Sequence, residues 1–354
     1  FEAMNHAGAS NANVLIVLND NKIAIDKNVG AMSRYLLNIT TSPSYNRFKN
    51  RLWNLFTFHK NESNKFINFL SKTGNVLKGY MLRGSNLFQS LGFRYFGPAN
   101  GHDVLYLVKL LQQLKDIPGP KLLHVITIKG RGLSLAEKDQ TTYHAPGKFD
   151  PDTGELIKAD TPNSSMKYQD VFGNTILTLA KKDPKVIGIT PAMLTGSSLS
   201  IMQKVFPERV FDVGIAEQHA VTFAAGLATK GYIPFCNIYS SFLQRGYDQV
   251  IHDVALQELP VIFCIDRGGL VGEDGATHQG IFDLAFLRAI PNMIIASPIN
   301  EDALENLLYT SYLNQKHPFV IRYPRGNGVL GQTRQTEFKA LPIGKANLLH
   351  SGKE

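Results

Sequence analysis

Residues 211–231 read Phe-Asp-Val-Gly-Ile-Ala-Glu-Gln-His-Ala-Val-Thr-Phe-Ala-Ala-Gly-Leu-Ala-Thr-Lys-Gly, and this stretch decides the fold. An apolar strand end turns at Gly214 into a run of helical periodicity over 217–230. Glu217 stands in its first turn, where the helix dipole favours a negative charge, and Gly231 is well placed to end it. Outward from this β–α step the same alternation recurs. Near-continuous apolar runs at 14–18, 122–128, 186–190, 261–265, 293–296 and 319–321 read as strands covered on both faces. Helical periodicity fills 102–116, 168–181 and 301–313. Alternating strands and helices predict an α/β chain of two doubly wound, mostly parallel sheets.

At 354 residues about two domains are expected. A Pro-, Gly- and Asp-rich stretch at 145–165 reads as the linker between them. The expected division is 1–160, 161–340, and a segment 341–354 that begins a further, truncated domain. The first domain contains an excursion at 28–95, in which ten basic residues face one acid, Glu62, with Phe, Tyr and the single Trp53 interspersed. Such a segment reads as a flexible flap or subunit contact; base stacking on its aromatics is the weaker reading, and no nucleic acid is expected. The chain opens inside what reads as a helix, so its true start is expected upstream of Phe1.

Lys plus Arg exceed Asp plus Glu by 37 − 29 = +8, and 44% of residues are apolar, enough for more than one core. Cys236 and Cys264 each lie in an apolar strand-like run, the pattern of buried thiols in a reducing, cytoplasmic setting rather than of a disulfide framework or zinc site. No apolar run reaches the roughly 18 residues needed to cross a bilayer, so no membrane partner is expected. The absence of a Walker loop, HExxH, CxxC, GxSxG or a strand-following GxGxxG argues against nucleotide hydrolases, zinc proteases and serine hydrolases.

Four polar clusters follow apolar strands, where open α/β sheets bind ligands. Val17-Leu18-Asn19-Asp20-Asn21 offers oxygens of the kind Mg²⁺ shares with a phosphate, or is an ordinary Asx turn. Glu217, beside Ile215, Ala216 and Val221, is expected to be partly desolvated and able to hold or exchange a proton; a plain helix-start acid is the alternative. Residues 266–280, with Arg267, Asp274, His278 and several glycines, form a loop poor at stabilising a fold and good at surrounding a ligand. Arg322 and Arg325 offer forked donors to a phosphate or carboxylate, or bridge acids across an interface.

In this order the clusters resemble the thiamine-diphosphate enzymes of the transketolase superfamily, most closely the 1-deoxy-D-xylulose-5-phosphate synthase family. FEAMNHAG at 1–8, VLNDN at 17–21, GHD at 101–103, IKGRG at 128–132, AEKD at 136–139, FDVGIAEQHAVTFAAGLA at 211–228, IYSSFLQRGYDQVIHDVALQELPV at 238–261, IDRGGLVGEDGATHQG at 265–280 and YPRGN at 323–327 carry the likeness. It implies a magnesium-dependent, homodimeric transferase that condenses pyruvate with D-glyceraldehyde 3-phosphate and releases CO₂. That reaction opens the non-mevalonate route to isoprenoids and feeds thiamine and pyridoxal synthesis. Another transketolase-type ketol transferase, or a fragment that only binds, are the alternatives.

The resemblance assigns roles residue by residue. Glu217 matches the carboxyl that bonds the cofactor's aminopyrimidine, with Phe242 and Arg245 against that ring. Asn21 and the Ile23 carbonyl match Mg²⁺ ligands, and Lys129 and Leu133 lie where the diphosphate and thiazolium approach. Tyr239, Arg267 and Arg325 match the phosphate grip for the aldose phosphate. His144, Asp274 and His278 match catalytic groups at its carbonyl and hydroxyl end. Asn100 and Leu133 depart from the family's usual Asp and aromatic residue. The family's Gly-Asp-Gly motif, which supplies the carboxylate Mg²⁺ ligand, is expected upstream of Phe1.

Overall fold

A computed structural model of the chain describes residues 2–23, 26, 28–32, 35–36, 87–144, 146–157, 165–330, 337–345 and 350–352. Most of the basic excursion at 28–95 and part of the linker at 145–165 therefore lie outside the described residues, as does part of 341–354. The chain forms two compact units: residues 1–23 with 30–156, and residues 24–29 with 157–354.

The first unit is built on three parallel strands, β1 (Leu15–Asp20), β2 (Arg94–Asn100) and β3 (Lys121–Ile126), in the order β1-β3-β2. Central β3 is buried on both faces because its alternate residues serve two small cores. Leu123 and Val125 pack with Ala99 and Leu114, whereas Leu122 packs with Phe88 and Phe93. β2 is absent from the sequence-based strands because Gly97 and Pro98 interrupt it; an edge position tolerates a residue with no N–H to give. The helix read at 102–116 runs from Val104 to Lys115, and the Asp103 side chain caps it by accepting the Tyr106 N–H at 2.9 Å.

The second unit carries six parallel strands, β4 (Val186–Thr190), β5 (Val210–Asp212), β6 (Ile233–Tyr239), β7 (Ile262–Asp266), β8 (Ile294–Ala296) and β9 (Phe319–Arg322), in the order β5-β4-β6-β7-β9-β8. Period-2 alternation sends Phe235, Ile262, Cys264, Phe319 and Ile321 to one face, beneath the helices Tyr168–Lys182 and Glu301–Leu313. Cys236, Ile238, Phe263, Ile265 and Val320 go to the other, beneath Glu217–Ala228. Helices on both faces of a parallel sheet make the doubly wound architecture expected. The two cysteines are free and buried on opposite faces, and burial pushes the Cys236 thiol up to about 12. Gly231 ends the Glu217–Ala228 region as read: its φ of +75° is one that glycine adopts without strain. No described helix is long and apolar enough to cross a membrane.

Phe235 is fully buried in the six-stranded sheet, whereas neighbouring Tyr232 is 40% exposed. Phe235→Ala is expected to cost about 3–5 kcal/mol, and Tyr232→Ala within about 0.5 kcal/mol. Urea unfolding of the two variants checks this; equal losses would contradict the assignment of the core.

Candidate active site

Because the strands run parallel, their carboxyl ends share one edge of the six-stranded sheet. Register pairs Tyr239 with Asp266 and Ile265 with Arg322, so the last residues of β6, β7 and β9 lie side by side there. The loops leaving that edge carry most of the residues singled out in the sequence. The Tyr239 ring stacks on Phe242 at 5.3 Å, and His278 meets Phe242 edge-on at 5.1 Å. The Arg267 guanidinium lies over the Tyr239 ring at 4.1 Å. Arg325 Nε reaches Asp274 Oδ2 at 3.0 Å, and the same oxygen stands 3.9 Å from Arg267 Nε. Tyr239, Phe242, Arg267, Asp274, His278 and Arg325 thus form one continuous cluster. The loop bearing Asp274 and His278 is pinched shut by Gly269 and Gly280, whose backbones exchange hydrogen bonds of 2.7 and 2.8 Å. A side chain at Gly280 would strike the Arg267 carbonyl, 2.1 Å from an added Cβ, so the closure requires glycine.

Glu217 opens its helix with the carboxylate buried, and Oε2 accepts from Arg245 Nη1 at 2.9 Å. Of its apolar neighbours in sequence Val221 is fully enclosed, whereas Ile215, expected to contribute, is 61% exposed. Arg245 is therefore an ion-pair partner of Glu217 in this structure. Its side chain is 57% exposed, so water supports its charge.

Asp266 was not singled out in the sequence, yet it ends β7 fully buried and binds its neighbour twice. Oδ1 accepts the Arg267 backbone N–H and Oδ2 accepts Arg267 Nη1, both at 2.6 Å. Arg267 sits at φ +59°, a left-handed conformation that costs a non-glycine residue roughly 1–2 kcal/mol. Burial raises the Asp266 carboxyl from 3.8 to about 6, with the Arg267 charge pulling downward. Gln169 also went unflagged; its Oε1 accepts from Arg267 Nη1 at 3.1 Å. A Gln on a helix carries no signal in sequence, whereas an Asp directly before an Arg at a strand end does. Arg322 does not join the cluster: Nε binds buried Asp283 at 2.7 Å and Nη2 the Gly280 carbonyl at 2.9 Å, an acid bridge within the chain rather than across an interface.

In the first unit, Asn21 Oδ1 accepts the Ile23 N–H at 3.1 Å, an Asx turn directly after β1. Asp20 points the other way, into the core, where Oδ2 meets His124 Nε2 at 3.2 Å and His124 Nδ1 meets the Tyr95 hydroxyl at 2.7 Å. Burial lowers the His124 pKa, with Asp20 opposing. Lys129 Nζ hydrogen-bonds His144 Nδ1. Desolvation lowers the Lys129 pKa. Leu133 is half-buried at the start of the Ser134–Lys138 helix. Among the described residues no three His, Cys, Asp or Glu side chains are grouped to hold a metal, and the carboxylate next to Asn21, that of Asp20, is engaged by the Lys22 N–H and by His124.

Two families match the sequence: "1-deoxy-D-xylulose-5-phosphate synthase" over residues 1–127 and "Transketolase, pyrimidine binding domain" over 164–329. The 1-deoxy-D-xylulose-5-phosphate synthase of Cytophaga hutchinsonii is 57% identical over all of this chain, and that of Parabacteroides distasonis 52%. The chain spans 56% of the length of each, about half of the curated relatives it matches. Among solved structures, a transketolase from Campylobacter jejuni aligns over 92% of this chain and 54% of its own, at 18% identity and a TM-score of 0.43.

The Asp266 carboxyl is expected to titrate near 6, and to move higher in Arg267→Ala, which removes the charge that favours its ionised form. Folding thus gains from this group below its ordinary 3.8, and the gain is lost as pH rises to about 6. Carboxyl ¹³C NMR reads both values; a titration near 3.8, or a downward move in the variant, would contradict the burial and pairing described.

Proposed function

The chain belongs to the 1-deoxy-D-xylulose-5-phosphate synthase family, and on that footing we propose that the protein joins pyruvate to D-glyceraldehyde 3-phosphate with loss of CO₂. The observation that carries this reading is the cluster at the carboxyl edge of the six-stranded sheet, where two arginines, two aromatics, an acid and a histidine meet. Enzymes of this family use thiamine diphosphate, normally with Mg²⁺. The cofactor supplies an electron sink for the carbon that loses CO₂.

The residues fit that group. Glu217 offers a buried carboxyl whose Oε2 accepts from Arg245, and Oε1 would hold or pass a proton at a ring nitrogen. Phe242, stacked on Tyr239, would offer a flat apolar face to the same ring. In the other unit Asn21 Oδ1 and the Ile23 carbonyl would serve as two of the metal's oxygen ligands, the rest coming from phosphate, water or a carboxylate. Lys129, its charge partly desolvated, would meet the diphosphate, next to half-buried Leu133. Arg267 Nε is buried without a hydrogen-bond partner, and with Arg325 it would grip the aldehyde's phosphate, Tyr239 bracing the guanidinium. His278 and Asp274 would orient the carbonyl and hydroxyl groups and exchange protons there, a role that the family resemblance also gives to His144. The same reading includes a homodimer, a cytoplasmic location, and a place at the entry to isoprenoid, thiamine and pyridoxal synthesis; family membership supports each.

Two measurements test the proposal. Glu217→Ala is expected to leave the fold intact, since exposed Arg245 is rehydrated, while CO₂ release from labelled pyruvate falls by more than a hundredfold; release within tenfold of wild type would remove Glu217 from its role. Arg325→Ala is expected to weaken use of the phosphorylated aldehyde by about 1.5–3 kcal/mol and to spare unphosphorylated glyceraldehyde. Equal loss with both aldehydes would make Arg325 structural. A wild-type enzyme that requires a ketose donor and ignores pyruvate would replace the reaction with ketol transfer.

A further inference from the structure

A phosphate grip by Arg267 requires that its guanidinium be aimed. Nη1 is fully engaged inward: it donates to Asp266 Oδ2, to Gln169 Oε1 at 3.1 Å and to the Gly196 carbonyl at 3.2 Å. Nε, although buried, has no hydrogen-bond partner and stands 3.9 Å from Asp274 Oδ2, the oxygen that also pairs with Arg325. The backbone is equally constrained. Arg267 keeps its φ of +59° with its N–H on Asp266 Oδ1 and its carbonyl against Gly280, where only glycine leaves room. Neither Asp266 nor Gly280 borders the open side of the cluster: Asp266 has no exposed surface at all, and Gly280 is buried.

Resting on that phosphate-grip reading, we propose that Asp266 is a positioning residue, whose two carboxylate oxygens clamp the amide and the guanidinium of Arg267 so that Nε is held out for a phosphate monoester. A buried carboxylate is suited to this task because, once water is excluded, a charge-assisted pair at 2.6 Å has no competing solvent to swing the arginine away. The left-handed residue supports the same conclusion: local strain persists where surrounding contacts over-determine it, and here they converge on one functional side chain. Asp266 touches no reacting atom, so it acts only through Arg267.

The experiment measures binding of glycerol 3-phosphate, an unreactive three-carbon phosphate ester, to the intact protein by calorimetry, alongside the Arg267 amide signal by NMR. In Asp266→Asn, which keeps an acceptor for the amide but removes the charge, the dissociation constant should rise about tenfold or more and the Arg267 amide proton should move upfield. Gly280→Ala, which displaces the Arg267 carbonyl without altering any charge, should produce the same loss, and it answers the question if Asp266→Asn does not fold. Arg325→Ala is measured in parallel. Loss of affinity in Arg325→Ala with unchanged affinity in a folded Asp266→Asn or Gly280→Ala would overturn the positioning role and leave the grip standing. Unchanged affinity in Arg325→Ala, or no binding by wild type, would overturn the grip itself and the inference with it.

Discussion

Everything at the proposed site depends on parallel pairing of β6, β7 and β9. Parallel strands must end at a common edge, and their register fixes which residues end there together: Tyr239 beside Asp266, Ile265 beside Arg322. A slip of one residue would send Cys264 and Phe263 to the wrong faces and turn the terminal polar side chains into the core. The register is therefore held by the whole apolar interior, from Phe319 and Ile321 on one face to Ile238 and Val320 on the other. Loops that need no stability of their own can then carry glycines, paired arginines and acids.

The electrostatics follow from that placement. At the end of a sheet covered on both faces, charges are partly removed from water, and each must find a partner. The structure supplies pairs of different depth. Glu217 is buried but matched by a largely exposed arginine, whose charge water supports when the pair opens toward a ligand. Asp266 is buried against a mostly buried arginine, so that pair is fixed. Asp274 with Arg325 is shallower and neutralises the arginines where an anion would enter. Graded burial of this kind separates groups that hold geometry from groups that exchange partners.

Much of this was legible from residues alone. β4 and the helix Glu301–Leu313 coincide with the reading to the residue, because a short run rich in Val and Ile and a helical period with two acids in its first turn leave little latitude. β2 was not legible, since Gly97 and Pro98 erase the strand pattern and only an edge position permits it. At the site, residue type and position after a strand picked out the cluster, but not the pairings within it. Arg322 and Arg325 look equivalent in sequence, yet Asp283, 39 residues away, takes Arg322 out of the cluster. Ile215 was expected to bury Glu217 and faces outward, because a turn reverses direction there and sequence adjacency ceases to report contact. Gln169 reaches Arg267 across 98 positions, a relation no local pattern encodes.

The central claim is that the carboxyl edge of the six-stranded sheet receives a phosphorylated three-carbon substrate between Arg267 and Arg325. The most direct test is a crystal structure of the protein grown with glycerol 3-phosphate. The phosphate is expected within hydrogen-bond distance of Arg267 Nε and of Arg325, with Asp274 moved off both and Asp266 still on Arg267. A phosphate bound elsewhere, with Asp274 still on Arg325 and Arg267 Nε still without a hydrogen-bond partner, would contradict it.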